Sequence, residues 1–444
     1  MTSFLHLDRR ELLRTLAPVT PAALSSDLSD ATELSNRFAA AALSTLVEPG
    51  DTDAVLLIGA LGPSAALAAV VERWPADRIL RAVAEVDEGA SAVLAGRSRA
   101  RSPCDAAATA EDAASVTRLE EALERWLPRL SLRTAVRSLE AAAGVGAVLV
   151  TPGDEVWPTG FGDLGDGAPI ALWVRGDVGS LSACDRSIAL VGARAATGYG
   201  EHVAMEAAAG LSDRGFAVVS GGAYGIDGAA HRAALASDQT TIAFLAGGVD
   251  RLYPAGHAAL LTRIAERGLL VGELPCGSSP TKWRFLQRNR LIAAASRATV
   301  VVEAGRRSGS LNTAGHAAAI GRPLGAVPGP VTSPASAGCH RLIQEYGAAC
   351  VTSAAEMAEL AGITDPLQTA ADGQASTSPS AADHGERIRV LDALSPRTPR
   401  PVREVATRAG MSEREAISTL GLLDLESLVD EREGGWIRTP QSPR

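Results

Sequence analysis

From Ser187 to Gly329, short apolar runs alternate with helical stretches, and no other feature of the chain restricts its fold so tightly. The runs SIALVG, FAVVSGG, TIAFLAGG, LLVGEL, ATVVVEA and PLGAVPG are apolar on consecutive residues, without the polar alternation of a half-exposed strand. Strands of that kind are covered on both faces, and helices between them supply the cover and the crossovers of a parallel sheet. The spacing predicts an α/β domain with a Rossmann-like, doubly wound parallel sheet. Two further short strands are expected ahead of it, in AVLVTPGDEVWP and PIALWVRGD. In such a sheet, ligands sit outside the carboxyl ends of the strands, where the strand order reverses.

At 444 residues the chain is long enough for more than one domain. Residues 1–138 read as an N-terminal helical domain, punctuated by Pro49-Gly50 and Gly62-Pro63, with a loose Ala/Ser/Arg-rich connection from Arg97 to Ala114. The IGALGP turn faintly resembles a helix-hairpin-helix but lacks its second glycine, so a plain turn is expected. The Rossmann-like domain takes residues 139–364. Residues 365–384, centred on TAADGQASTSPSAAD, read as a flexible linker. Residues 385–440 carry three helical patterns and a short hairpin, the layout of a winged helix. The five cysteines form no C-x-x-C pair, which argues against structural zinc and a disulfide framework and fits a reducing cytoplasm. The first residues carry acids and no long apolar run, so no signal peptide is expected. No apolar stretch approaches 18 residues, so no membrane span is expected.

Four turns are expected at the carboxyl edge of the sheet. Gly192-Ala193-Arg194 offers close backbone approach and a guanidinium fork. Ser220-Gly221-Gly222-Ala223-Tyr224-Gly225 is a glycine-rich strand-to-helix turn suited to an anion nest. Ser310 and Thr313 open the helix SLNTAGHAAAIG. The fourth stretch, Thr281 to Arg290 (TKWRFLQRNR), holds Lys282, Arg284, Arg288, Arg290, Trp283 and Phe285 with no acid, in a chain whose net charge is -9. It reads as a basic-aromatic loop leading into the helix RNRLIAAAS. Basic groups interleaved with stackable rings suit a polyanion that carries bases. The same residues also suit a loop whose rings merely anchor it to the core.

Catalytic and cofactor patterns are sparse. There is no H-E-x-x-H, no G-x-S-x-G and no lysine-bearing phosphate loop. His231 and His316 fall inside helices and Asp227 at a helix start, positions suited to packing and capping. A dinucleotide site would want an acid after the second strand, where this chain has Ser220-Gly221. No catalytic residue, metal or cofactor is assigned.

The stretches VGAR, SGGAYGIDGAAH, AGGVDRLYPAGH, GELPCG, KWRFLQRNRLIAAAS, SGSLNTAGHAAAIGRP, VPGP and GCHRLIQEYGA occur in the order and spacing of the DNA-processing protein DprA (Smf) family. The resemblance covers roughly Thr151 to Met357. It implies a cytoplasmic, homodimeric protein that binds single-stranded DNA, protects incoming strands in natural transformation and loads RecA onto them. It also implies that Arg194, Lys282, Phe285, Arg288, Asn289 and Arg290 contact DNA, with Gly192, Gly221, Gly222, Ser310 and Thr313 around the phosphates. This chain departs from the family pattern at Ala193, where Ser is common, at Leu286, where Pro is common, and at Gly338-Cys339-His340 in place of Gly-Thr-Asn. The alternative is a nucleotide-processing enzyme like the lysine-decarboxylase-like phosphoribohydrolases. Their signature turn carries a catalytic Glu, whereas this chain has Gly309-Ser310-Leu311-Asn312-Thr313 followed by His316.

Overall fold

The structure, a computed structural model, describes residues 5, 7–21, 24, 28–86, 105–362, 387, 389–425 and 428–439. Its centre is a nine-stranded sheet of β1 (Ala147–Val150), β2 (Leu172–Gly176), β3 (Ser187–Gly192), β4 (Ala217–Ser220), β5 (Thr241–Leu245), β6 (Leu269–Gly272), β7 (Ala298–Glu303), β8 (Leu324–Ala326) and β9 (Ala349–Cys350). The spatial order is β1-β2-β6-β5-β4-β3-β7-β8-β9. From β6 to β9 every pairing is parallel, as the apolar runs require. The two strands expected ahead of this region are present as β1 and β2: β1 pairs antiparallel with β2, and β2 antiparallel with β6. The order reverses between β3 and β7, which makes that junction the topological switch point. A register shift at Val191/Gly192 bends β3 at its carboxyl end there.

Helices cover both faces. Lys282–Ala295, Ser310–Ala319 and Ala337–Glu345 pack over one face around Phe161, Phe244 and Leu291. Gly198–Asp213, Ile226–Ala236 and Ala354–Leu360 pack over the other around Phe216, Leu190 and Met357. The N-terminal helices do not form a core of their own. Phe38, Leu67, Leu139 and Trp126 share one cluster with Ala147, Trp173, Leu245 and Leu270 of the sheet. Buried Arg37 ties the helices down further, donating to the Leu149 carbonyl at 2.9 Å and pairing with buried Asp154.

Compactness divides the chain into residues 1–364 and 365–444. The boundary expected at 138/139 falls inside the helix Leu132–Gly144. The helix Asp105–Trp126 takes in the second half of the connection expected to be loose, and its first half lies outside the described residues. Gly62, at φ 79°, makes a plain turn between Thr52–Leu61 and Pro63–Val71. The expected linker, 365–384, lies outside the described residues. The second unit has helices Val402–Ala409 and Glu413–Leu425 and an antiparallel hairpin of β10 (Val429–Arg432) and β11 (Gly435–Arg438) around Val405, Leu420 and Leu423. Among the described residues no single helix is long and apolar enough to cross a membrane.

Candidate nucleic-acid interface

The stretch expected as a basic loop is helical from its second residue. Thr281 caps it, its hydroxyl accepting from the Arg284 amide at 3.3 Å, and the helix runs Lys282–Ala295. Helical winding sorts the basic residues by direction. Lys282, Phe285, Leu286, Arg288, Asn289 and Ile292 line a cleft of ≈ 830 Å³ at the switch point. Val191 to Ala195 at the carboxyl end of β3, and Gly305, Arg307 to Ser310 and Thr313 after β7, contribute its other walls, with Ala223, Asp227 and Tyr253. The helices Lys282–Ala295 and Ser310–Ala319 both open into it, so their free N–H groups add to the charge of Arg194, Lys282, Arg288 and Arg307. Asp227 is the acid in the lining.

Of the expected site residues, Gly192, Arg194, Lys282, Phe285, Arg288, Asn289, Ser310 and Thr313 meet in this cleft. Arg290 does not. It is buried, with both terminal nitrogens on the Glu273 carboxylate at 2.8 and 2.7 Å and its Nε on the Gly167 carbonyl, so it braces the helix from the far side. Gly221 and Gly222 also lie outside the lining. A Cβ on Gly221 would sit 2.5 Å from the Arg288 guanidinium, so this glycine makes room for an arginine. The Gly222 carbonyl faces His257 Nδ1 at 3.1 Å. Arg284 pairs with Glu48 at 2.8 Å, and Trp283, 55% exposed, stands clear of the cleft. Sequence reasoning passed over Arg307 and Tyr253. Arg307 was signalled by the Arg306-Arg307 pair just ahead of Ser308-Gly309-Ser310. Tyr253 had no local signal, since its relation to Phe285 is made only by folding.

The side chains in the cleft hold one another. The Phe285 ring lies beneath the Arg194 guanidinium at 5.0 Å and beside that of Arg288 at 5.7 Å, with Tyr253 at 5.6 Å. Arg194 is exposed and Phe285 half-buried, so the ring serves as a pedestal that orients a solvent-facing cation. Arg288 is buried, donating to the carbonyls of Gly221 (2.8 Å) and Phe244 and, through Nε, to Asn289 Oδ1 (3.2 Å). Burial brings its pKa down to about 10, so it is still charged at neutral pH. Burial also pushes the Asp227 carboxyl above its ordinary range, against the pull of Arg288 and of the Gly221 and Ala223 amides.

The Arg194 loop is anchored on both sides. The Ala193 amide donates to the Glu303 carbonyl at 2.7 Å, and the buried Glu303 carboxylate accepts from the amide and the hydroxyl of Thr197 at 2.8 and 2.7 Å. Below it, Gly225 at φ 71° admits the close approach: a Cβ there would sit 2.2 Å from the Ala193 carbonyl oxygen. Ser308 and Ser310 share a hydrogen bond at 2.8 Å, and Asn289 donates to Asn312 at 3.1 Å. The result is a rigid, concave surface with basic groups and amides outward and apolar ring and helix surface between them. Basic groups and amides around apolar surface are the chemistry that suits backbone phosphates and leaves room for bases.

Comparison with known proteins points the same way. The family model for DNA recombination-mediator protein A matches residues 148–362. A DprA-type DNA-processing protein of Mycobacterium tuberculosis is 46% identical over 318 residues, which cover 69% of this chain and 81% of the relative. Protein Smf of Escherichia coli is 37% identical, covering 61% of this chain and 72% of its own length. The X-ray structure of DNA processing protein A from Streptococcus pneumoniae superposes with a TM-score of 0.52 at 27% identity, over 72% of this chain and 96% of that one. With the sheet, the switch-point cleft and these identities together, the chain belongs to the DprA/Smf family of DNA-processing proteins, the DNA recombination mediators.

Proposed function

We propose that the cleft binds single-stranded DNA, and that the protein, as a homodimer, protects such strands and delivers RecA to them in recombination or transformation. The observation that carries the DNA reading is the grouping of Arg194, Lys282, Arg288 and Arg307 with Phe285 and two helix N-termini in one cleft of an otherwise acidic chain. Family membership supports the RecA and dimer parts. The cleft is lined on facing sides by separate loops and suits a flexible strand that can thread between them better than a duplex. Lys282, Arg194 and Arg307 are the proposed phosphate ligands, and Arg288 sets the local potential from below.

The protein is proposed to bind without turning substrate over. The two acids nearest the cleft are engaged with backbone: Glu303 holds Thr197, and Asp227 accepts from the Gly221 and Ala223 amides. A direct test compares single- and double-stranded oligonucleotides in a gel shift and repeats the single-strand arm across a salt series with Lys282→Ala. Each lost phosphate contact should reduce the log–log salt slope by about 0.7. Equal affinity for duplex, or a Lys282→Ala protein indistinguishable from the unaltered chain at every salt concentration, would sink the reading. Release of free base from nucleoside monophosphates would instead support the hydrolase alternative.

A further inference from the structure

The stretch GELPCG is not used by the cleft, although it leads straight into the helix that builds it. Glu273 braces Arg290, and Leu274 to Ser278 line a separate pocket of ≈ 380 Å³ beside the helix Leu132–Gly144. On one side the pocket is polar and basic, with Arg129, Arg137, Thr134 and Ser138, and on the other lies the more apolar turn from Leu274 to Ser278. Arg137 is exposed and forms no ion pair with any described residue, nor does Arg133 one turn earlier. Of the nearby acids, Glu48 is ion-paired, whereas Asp250 keeps its charge beside Cys276. Glu48 is taken up by Arg284 at 2.8 Å and Arg129 at 3.0 Å, and Asp250 accepts from the Gly277 amide at 2.9 Å. The lining itself holds two arginines and several hydroxyl groups and no acid, which is the chemistry of a phosphate site.

Its position relates it to the cleft. Both lie beyond the carboxyl ends of the strands, the cleft at β3 and β7 and the pocket after β6. Two strands separate β3 from β6, and at ~4.8 Å per spacing the offset along the sheet edge is ~14 Å. The chain links them directly, since Ser278 lines the pocket and Pro280 the cleft. Their Cα atoms are no more than ~7.6 Å apart. Ser278 is itself fixed, its carbonyl accepting from the Gly248 amide at 3.0 Å.

We infer that the pocket of Arg129, Arg137 and the 274–278 turn is a second phosphate station, which takes the neighbouring segment of the same DNA strand that occupies the cleft. The inference rests on the single-strand reading of the cleft and extends its footprint onto the N-terminal helices. A strand of a few nucleotides fills the cleft alone, and a longer one runs along the sheet edge and engages Arg137.

The test is fluorescence anisotropy on the full chain with oligodeoxythymidylates of about 6 and about 20 nucleotides, which bracket common single-strand site sizes. Arg137→Glu should weaken the long oligonucleotide by about three- to tenfold and Arg137→Ala should lower its salt slope by about 0.7, with the short one unchanged for both variants. Lys282→Ala should weaken both lengths. Because Arg137 is exposed and unpaired, its variants should melt with the unaltered chain. If Arg137→Glu binds both lengths normally, or loses equally on both, the second station is wrong and the cleft reading stands or falls on Lys282→Ala. If Lys282→Ala is silent on both lengths, the cleft reading is wrong and the extension goes with it.

Discussion

At the scale of single residues, the pairing of Arg194 with Phe285 makes a prediction that the sequence alone did not. Treated separately, Arg194 is a phosphate ligand and Phe285 a stacking face, and their losses should add. With the guanidinium 5.0 Å above the ring, the two act as one unit. The double variant Arg194→Ala/Phe285→Ala should lose less affinity than the sum of the singles, by about 0.5–1 kcal/mol. Additive losses in anisotropy titrations would refute the pedestal. His231 offers a stability test. It is fully buried, Thr241 Oγ1 donates to the Val218 carbonyl at 3.0 Å, and His231 Nδ1 meets that same oxygen at 2.7 Å, so Nδ1 carries the proton. Nε2 has no partner among the described residues, and burial with His257, Arg288 and Arg232 nearby brings the pKa down to about 3. The unfolded histidine binds protons near pH 6.5, so the stability from keeping it neutral is complete above that pH and lost as pH falls toward 3. About 2 kcal/mol should be gone at about pH 5. His231→Asn should remove that part of the acid slope in urea titrations, and an unchanged slope would show that other groups carry it. At this scale much of the cleft was legible. The basic-aromatic composition of Thr281 to Arg290 marked Lys282, Phe285 and Asn289, although their helical spacing was not read, and Arg194 follows a strand end. Arg290 was misplaced because its partner Glu273 lies on another element, a contact that no local pattern announces.

At the scale of elements, the sequence pattern anticipated the strands from β3 to β8 because each is apolar on both faces. β9 was missed, being two exposed residues held by pairing with β8 alone. The helix Lys282–Ala295 was read as starting too late because its first turn is basic and exposed, and Thr281 was not read as its cap. This helix is tied to the β4 turn by Arg288, whose Nη1 bridges the Gly221 and Phe244 carbonyls. Gly221→Ala would drive a methyl group into that guanidinium. It should cost about 1–3 kcal/mol of stability, as overpacking does. It should also weaken single-strand binding, although Gly221 lies outside the cleft lining. A variant that melts and binds normally would show that Arg288 can shift without consequence.

At the scale of the whole molecule, the two compact units call for different expectations. From Gly385 to Arg438 there are nine Arg against ten Asp and Glu, and the helix Glu413–Leu425 carries Glu413, Glu415 and Asp424 against Arg414. Such a face repels phosphates. A chain ending at Gly373 should therefore keep single-strand affinity within about tenfold, or about 1.4 kcal/mol, of the full chain. A larger loss would assign DNA contact to the second unit. The first unit does not offer a comparable cut. Phe38, Leu67, Leu139 and Trp126 are buried against Trp173, Leu245 and Leu270, so helices and sheet lose their cores together. The N-terminal region is therefore not a module to be exchanged between relatives. A chimaera that takes residues 1–138 from another member inherits half of an interlocked surface. It must bring the matching faces of β1, β2 and β6 with it, so viable joints in this lineage fall after Gly362 and not ahead of β1.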